Sequence, residues 1–459
     1  MRIDPGSFRD PSGRVIHADG RIFRAVYASG AGAYEAARNA GVLHASVEQG
    51  RLLPFEEIEL QAQRLDGPAP AYLLEHPKIE FVTYPYEWTF SALKAAALLQ
   101  LDFQIDLIGS GFTLSDASAY NIQFKGTRPV FIDHLSVVPY EAAQGWTGQR
   151  QFAMQFLCPL LLWAKRGIAP NHWFRGSLEG MAPEDLAPLL RWRDRLSFNV
   201  LAHVVGLAAV HRQSLNRSVG SATVPNRELP LGRLDAMLKS LRAYVAGLEL
   251  PSAKTVWGDY AGSNSYDHAR RTAKHDFVSK HVKRWRPRRL LDVGCNSGDF
   301  SQTALEAGAG NILALDFDFG ALEAAFARFT ASAAPVLPLW FDATNPSPSQ
   351  GWANAERKSL SERTNADAML ALALIHHLAI AKNVPLDMAV DWLMSLAPVG
   401  IIEFPDKNDV MVRELLRARP DIFPSYTEEA FLSHVEEHGN IVDQVRLGEG
   451  GRLLIAYQR

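Results

Sequence analysis

The stretch LLDVGCNSGDF, residues 290–300, sets an acid, two glycines and an asparagine where a strand breaks into a turn: Asp292, Gly294, Gly298 and Asn296. Glycine admits the left-handed backbone that a tight turn needs and lets a ligand approach the chain closely. A phosphate-cradling loop would end in Gly-Lys-Ser/Thr, which does not follow. A dinucleotide site would read G-x-G-x-x-G, whereas here Cys295 follows Gly294 and the spacing is G-x-x-x-G. Farther along, LALDFD carries Asp316, a two-oxygen fork suited to a pair of hydroxyls. FDATN carries Asp342 and Ala343, and ALIHHL carries His376 and His377, of a residue type whose free imidazole titrates near neutral pH. Taken singly, Asp292 reads equally well as a strand-end turn former and Asp316 as a helix cap before GALEAAF.

The elements that must position these residues alternate in order after residue 284. Strand LLDV leads to helix SQTALEAG, strand ILALDF to helix GALEAAFARF, strand VLPLWFD to strand MLALALI, and helix PLDMAVDWLMSLA to strand VGIIEF. Apolar runs alternating with helices at this spacing predict a parallel sheet covered on both faces. The chain then ends in IVDQVRL and RLLIAYQ joined by GEGG, a hairpin that requires one antiparallel strand. The acids and glycines thus fall at successive carboxyl ends of parallel strands, where open α/β sheets bind ligands.

Over residues 255–459 this pattern resembles the class I S-adenosylmethionine-dependent methyltransferases, with LLDVGCNSGDF matching their motif I. The resemblance implies a seven-stranded Rossmann-like domain, with Asp292, Gly294, Asn296 and Gly298 at the amino-acid end of S-adenosyl-L-methionine. It further implies Asp316 on the ribose hydroxyls, Asp342 by the adenine amino group with Ala343 offering a backbone donor, and His376 and His377 nearest the methyl group. Methyl transfer is an in-line displacement, so positioning and exclusion of water come first, and either histidine is a candidate base for an acceptor that must lose a proton. Neither NPPY nor a Pro-Cys nucleophile of nucleic-acid methylation occurs, and Cys295 lies in the cofactor loop. Trp257, Tyr260 and Tyr266 are expected in a lid, their faces suited to a sulfonium. The long connection TNPSPSQGWANAERKSLSERTNAD offers Trp352, Glu356 and Arg357 to the acceptor, and Glu403 is expected near the substrate.

The first half carries a second resemblance. The spacing of Asp116, Asn121 and Asp133 in TLSDASAYNIQFKGTRPVFIDHLS is similar to the catalytic loop and metal-binding acid of kinase-like and aminoglycoside-phosphotransferase-like folds. GRVIHADGRIFRAVY would be a reduced amino-terminal hairpin, with helices at 148–166 and 189–213 as a carboxyl lobe. The pattern departs at Leu114-Ser115 and His134, lacks a glycine-rich phosphate loop, and would need Arg24 in place of the lysine. The expectation is an α+β accessory or substrate-recognition domain over 1–250, degenerate as a kinase, before a methyltransferase domain over 251–459. Capped turns at Asp116, Asn121 and Asp133 fit the same residues. The whole chain also resembles bacterial two-part methyltransferases connected with host-specific nodulation.

Composition narrows the partners. With 47 basic against 50 acidic residues and a net charge of -3, there is no global positive field for nucleic acid or anionic lipid. Cys158 and Cys295 are too few for a disulfide framework or a CxxC metal site, so no metal is expected. The start MRIDPGSFRDPSGRV has no apolar signal core, and FLCPLLLWA and MLALALI are shorter than a membrane span of roughly 20 residues. A cytoplasmic enzyme acting on a small-molecule or carrier-bound acceptor is expected. A kinase-like phosphotransferase with a regulatory S-adenosylmethionine-binding domain and a non-catalytic scaffold are the alternatives.

Overall fold

The computed structural model describes residues 2–59, 68–215, 228–251, 268–417, 419–448 and 451–459. The chain divides into two units: residues 1–253 with 349–357, and residues 254–348 with 358–459. The segment 349–357, taken from the long connection in the second half, distinguishes this division from a single cut near residue 250.

Unit 1 opens with an antiparallel sheet in the order β1-β2-β3-β5-β4, built from β1 (Arg2–Ile3), β2 (Gly13–Ala18), β3 (Arg21–Val26), β4 (Glu56–Ile58) and β5 (Tyr72–His76). Asp19 and Gly20, both at positive φ, turn β2 into β3, the two-residue solution whose twist matches paired strands. The helix Phe90–Gly109 is apolar on most of its circumference and correspondingly buried; Thr89 caps its start by accepting the Ala92 N–H at 3.1 Å. Two short ladders follow, β6 (Phe112–Leu114) with β9 (Val137–Pro139) and β7 (Ile122–Lys125) with β8 (Arg128–Phe131). The helix expected at 148–166 is present but passes through a π-helical turn at Ala153–Leu157, just before Pro159, which has no N–H to continue the regular ladder. The one expected from 189 begins only at Phe198, after a 3-10 turn at Asp194–Leu196.

Unit 2 holds a seven-stranded sheet: β10 (Arg289–Val293), β11 (Asn311–Asp316), β12 (Val336–Trp340), β13 (Ala368–Ala371), β14 (Val399–Pro405), β15 (Asn440–Arg446) and β16 (Arg452–Gln458). Its order is β12-β11-β10-β13-β14-β16-β15, with β10 to β14 parallel and β16 antiparallel to both neighbours. The inner strands are buried along nearly their whole length, which is why they read as continuous apolar runs and not as alternating ones. The helices Asp299–Glu306, Phe319–Ala331 and Leu386–Ser395 are the expected crossovers. Because the chain steps from β10 to β11 on one side and returns to β13 on the other, the connections leaving β10 and β13 diverge, opening a crevice at their carboxyl ends. No helix among the described residues is long and apolar enough to cross a membrane.

Unit 1 also buries two stacked imidazoles, His76 and His134, with centroids 4.6 Å apart. The first donates to Pro54 O at 3.1 Å and the second to Leu53 O at 2.8 Å, and the remaining nitrogen of each ring has no partner. Burial lowers the His76 pKa to about 4 and carries His134 well below the ordinary value. Each ring is neutral when folded and takes up a proton on unfolding, so stability is full above about pH 6.5. It falls as pH drops toward the folded pKa, by about 1 kcal/mol per pH unit for each histidine. Urea unfolding followed at pH 7, 5.5 and 4.5 should therefore show falling midpoints for unit 1, and His76→Gln should flatten that dependence.

Candidate functional site

The turn after β10 is held from both sides of the crevice. Gly294, Asn296 and Gly298 have φ of +84°, +50° and +82°, so three positions in five lie in the left-handed region. The N–H groups of Gly294 and Cys295 both donate to Leu315 O, at 2.8 and 3.0 Å, tying the turn to the end of β11. Gly298 begins the helix Asp299–Glu306, and a Cβ there would stand 2.6 Å from the ring of the buried Phe329. Glycine is thus demanded twice at this position, by backbone angle and by packing.

Asp316, at the end of β11, completes the turn. One carboxylate oxygen accepts the Asn296 N–H at 2.7 Å and the other the Asp318 N–H at 2.9 Å. Burial raises its pKa against these bonds, which favour the ionised form. Each oxygen retains acceptor capacity for a hydroxyl. The helix-cap role expected as the alternative belongs to Asp318, which accepts the N–H groups of Gly320 and Ala321 at 2.7 and 3.0 Å. Asp292 does not line the crevice: it is buried in β10, bonded to Ser301 Oγ at 2.6 Å, and burial pushes it up to about 6. Its position fits anchoring of the following helix. Asp342 and Ala343 follow β12 on the crevice wall, and Asp342 accepts both the backbone N–H and the hydroxyl of Thr344.

Between these loops lies a cavity of about 500 Å³, lined by Gly294, Asn296, Asp316, Asp342, His376 and His377 among others. His376 and His377 follow β13, their rings 4.1 Å apart. His376 is 1% exposed and neither ring nitrogen has a hydrogen-bond partner. Burial, His377, and the cations Arg452 and Lys274 hold its pKa well below the ordinary value.

Those cations belong to a group of which sequence reasoning named only Glu403. Lys274 donates to Glu403 Oε2 at 2.5 Å, and Arg452 reaches Glu403 Oε1 at 3.1 Å and clasps Asp409 at 2.6 and 3.1 Å. Glu403 is fully buried; against the upward push of burial, the two cations carry it below the usual carboxylate range. Lys274 and Arg452 line the cavity, while Glu403 and Asp409 stand behind them and do not. Of these four residues the sequence reading singled out Glu403 alone, expected near the substrate; it stands behind the wall, bonded to both cations.

Other expected residues lie elsewhere. Glu356 and Arg357, expected toward the acceptor, belong to unit 1, where Glu356 accepts Arg9 Nε and Nη2 at 2.8 and 3.0 Å and the Arg357 guanidinium lies 4.2 Å from the Tyr120 ring centroid. Trp352 is 73% exposed on the same segment. Trp257, Tyr260 and Tyr266 lie outside the described residues. In the kinase-like stretch, Asn121 bonds Asp116 at 3.2 Å and Arg24 pairs with Asp133 at 2.7 Å. Asp133 also accepts from the Ser136 hydroxyl and caps the turn His134–Ser136, and Asp116 accepts the Ser118 N–H at 2.8 Å. These are the bonds of capped turns plus one ion pair. Among the described residues no cluster of His, Cys, Asp or Glu is arranged to hold a metal.

Gly298→Ala should cost about 1–3 kcal/mol, the usual penalty of overpacking, measured by denaturant unfolding. Glu403→Gln leaves two buried cations sharing one acid and should cost about 3–5 kcal/mol. A Glu403→Gln protein as stable as the parent would show that the network contributes nothing.

Among solved structures, the N-methyltransferase NodS of Bradyrhizobium japonicum WM9 is 12% identical, over 42% of this chain and 98% of that one, with a TM-score of 0.30. Magnesium protoporphyrin IX methyltransferase (ChlM) of Synechocystis PCC 6803, solved with bound SAH, is 15% identical over 44% of this chain and 92% of that one, with a TM-score of 0.32. No protein-family model matches the chain. The nodulation protein NoeA of Rhizobium meliloti (strain 1021) is 44% identical over 456 residues, a likeness spanning 99% of this chain and 95% of that protein. With an identity of this extent running from end to end, the chain belongs to the NoeA family of nodulation proteins.

Proposed function

We propose that unit 2 binds S-adenosyl-L-methionine and transfers its methyl group to a small-molecule or carrier-bound acceptor. The observation that carries this reading is that the left-handed Gly294–Gly298 turn and the Asp316 carboxylate face one cavity at the point where strand order reverses. The residues fit the donor in kind. A glycine-bearing turn admits its amino-acid end, the Asp316 fork suits ribose hydroxyls, and Asp342 with Ala343 suits an adenine edge. The cavity volume of about 500 Å³ lies within the range of small-molecule sites, about 300–1,000 Å³. When bound, the donor supplies a methyl group activated by its sulfonium. The chain's share is to orient it toward the wall formed by His376, His377, Lys274 and Arg452, and to keep water out.

Unit 1 is read as an accessory domain that presents or recognises the acceptor. Kinship with a nodulation protein supports an acceptor connected with nodulation. The phosphotransferase alternative lacks comparable support, since Asp133 is engaged by Arg24 and Ser136.

Calorimetry on the full chain should detect binding of S-adenosylmethionine and its demethylated product without Mg-ATP. Asp316→Ala should weaken it at least ~10-fold, equivalent to about 1.4 kcal/mol. Unchanged affinity would remove Asp316 from the site, and absence of binding by the parent chain would remove the donor.

A further inference from the structure

We infer that unit 1 docks on an anionic lipid surface through an apolar, arginine-bordered patch formed by Leu189, Trp192, Leu196, Phe198 and Leu201. The inference goes beyond methyl transfer and does not rest on it.

The patch is a local excess of exposed apolar area. Trp192, Leu196 and Phe198 are 68%, 69% and 69% exposed, and Leu189 and Leu201 are exposed as well. Single exposed apolar residues are ordinary, but a contiguous group of large ones marks an interaction surface. Adjacent elements bring these five together. The turn Asp194–Leu196 packs on Phe198–Val200, where the next helix begins, and the helix Pro183–Leu189 packs on Leu201–Val205. Arg195 Nη2 donates to Ala187 O at 2.7 Å, which ties the turn back to that earlier helix. Phe198 and Leu201, three positions apart on one helical run, share a face. The inward face of the same run is already used, since Val200, His203 and Val204 are buried. A helix apolar on both faces calls for a neighbour on each. Here the outer face stays exposed.

The charges beside the patch select its occupant. Residues 189–201 hold three arginines, Arg191, Arg193 and Arg195, against one acid, Asp194, whose carboxylate accepts the Arg191 N–H at 3.1 Å. The Arg193 guanidinium lies 5.5 Å from the Trp192 ring centroid. Cationic heads on long stems, set among Leu, Phe and Trp, suit the boundary between acyl chains and headgroups. The net charge of -3 gives no global field, yet attraction to a charged surface acts within a Debye length, about 10 Å, so the local excess decides. A second copy fits less well, because a two-fold contact sets the patch against itself with arginines facing arginines. Nucleic acid also fits less well, because three of the five apolar side chains are leucines, which have no ring to stack on a base. Lying on a bilayer requires no helix long enough to span it.

Co-sedimentation of the full chain tests this, with vesicles of phosphatidylcholine alone or of phosphatidylcholine and phosphatidylglycerol in equal parts. The chain should pellet with the anionic vesicles, remain in solution with the neutral ones, and bind less as salt is raised. Trp192→Ser and Phe198→Ser together should weaken binding at least ~10-fold. Arg191→Ala and Arg193→Ala should each weaken it about fivefold. These side chains are exposed, so the unfolding midpoints of the variants should match the parent's. Failure of the parent to pellet with anionic vesicles, or variants of parental stability pelleting as well as the parent, overturns the inference. A dimer in sedimentation velocity that Trp192→Ser dissolves would instead assign the patch to a second copy. Binding of a single-stranded oligonucleotide that the same change abolishes, without vesicle binding, would assign it to nucleic acid.

Discussion

The Asp316 carboxylate bridges two loops that leave neighbouring strands, accepting one N–H from the turn after β10 and one from the turn after β11. A left-handed run such as Gly294–Gly298 presents its N–H groups in directions that no helix or strand ladder can satisfy. Asp316 and Leu315 O supply the missing acceptors, so the turn is closed by the chain's own bonds. The shape of the crevice, the start of the following helix and the closeness of Phe329 to Gly298 all depend on that closure.

A second constraint comes from strand direction. Since β16 runs antiparallel to β14, its first residue, Arg452, stands opposite Pro405, at the carboxyl end of β14 where the crevice opens. A parallel final strand would carry its first residue to the far edge of the sheet. Reversal therefore delivers a guanidinium beside Glu403 and Asp409, and Lys274, from the helix His268–Trp285, completes the balance. Buried charges are tolerated when they are paired and hydrogen-bonded, as all four are here. The charge on this wall of the cavity thus follows from topology as much as from residue type.

Unit 1 shows how similar spacing can serve ordinary structural needs. Asp116 and Asp133 sit at strand exits, where free N–H groups require acceptors, and both supply them. The buried His134 is bonded to a backbone carbonyl in the place where the kinase-like pattern has glycine. In the long connection of the second half, Glu356 and Arg357 meet Arg9, Tyr84 and Tyr120, residues more than 200 positions away in sequence. Local spacing does not encode such partners.

The sequence by itself determined what depends on neighbours along the chain: the alternation of apolar strands and crossover helices, the closing hairpin, the Asp-Gly turn at 19–20, and the placing of Gly294, Asp316, Asp342 and the histidine pair at strand ends. Periodicity and turn chemistry act over a few residues, so they are legible there. Only the tertiary structure decided which of those groups share a cavity, that Asp292 turns away toward Ser301, and that Lys274, Glu403, Asp409 and Arg452 form one network. Those outcomes depend on strand order and burial, which join residues up to 178 positions apart and leave no periodic trace in the chain.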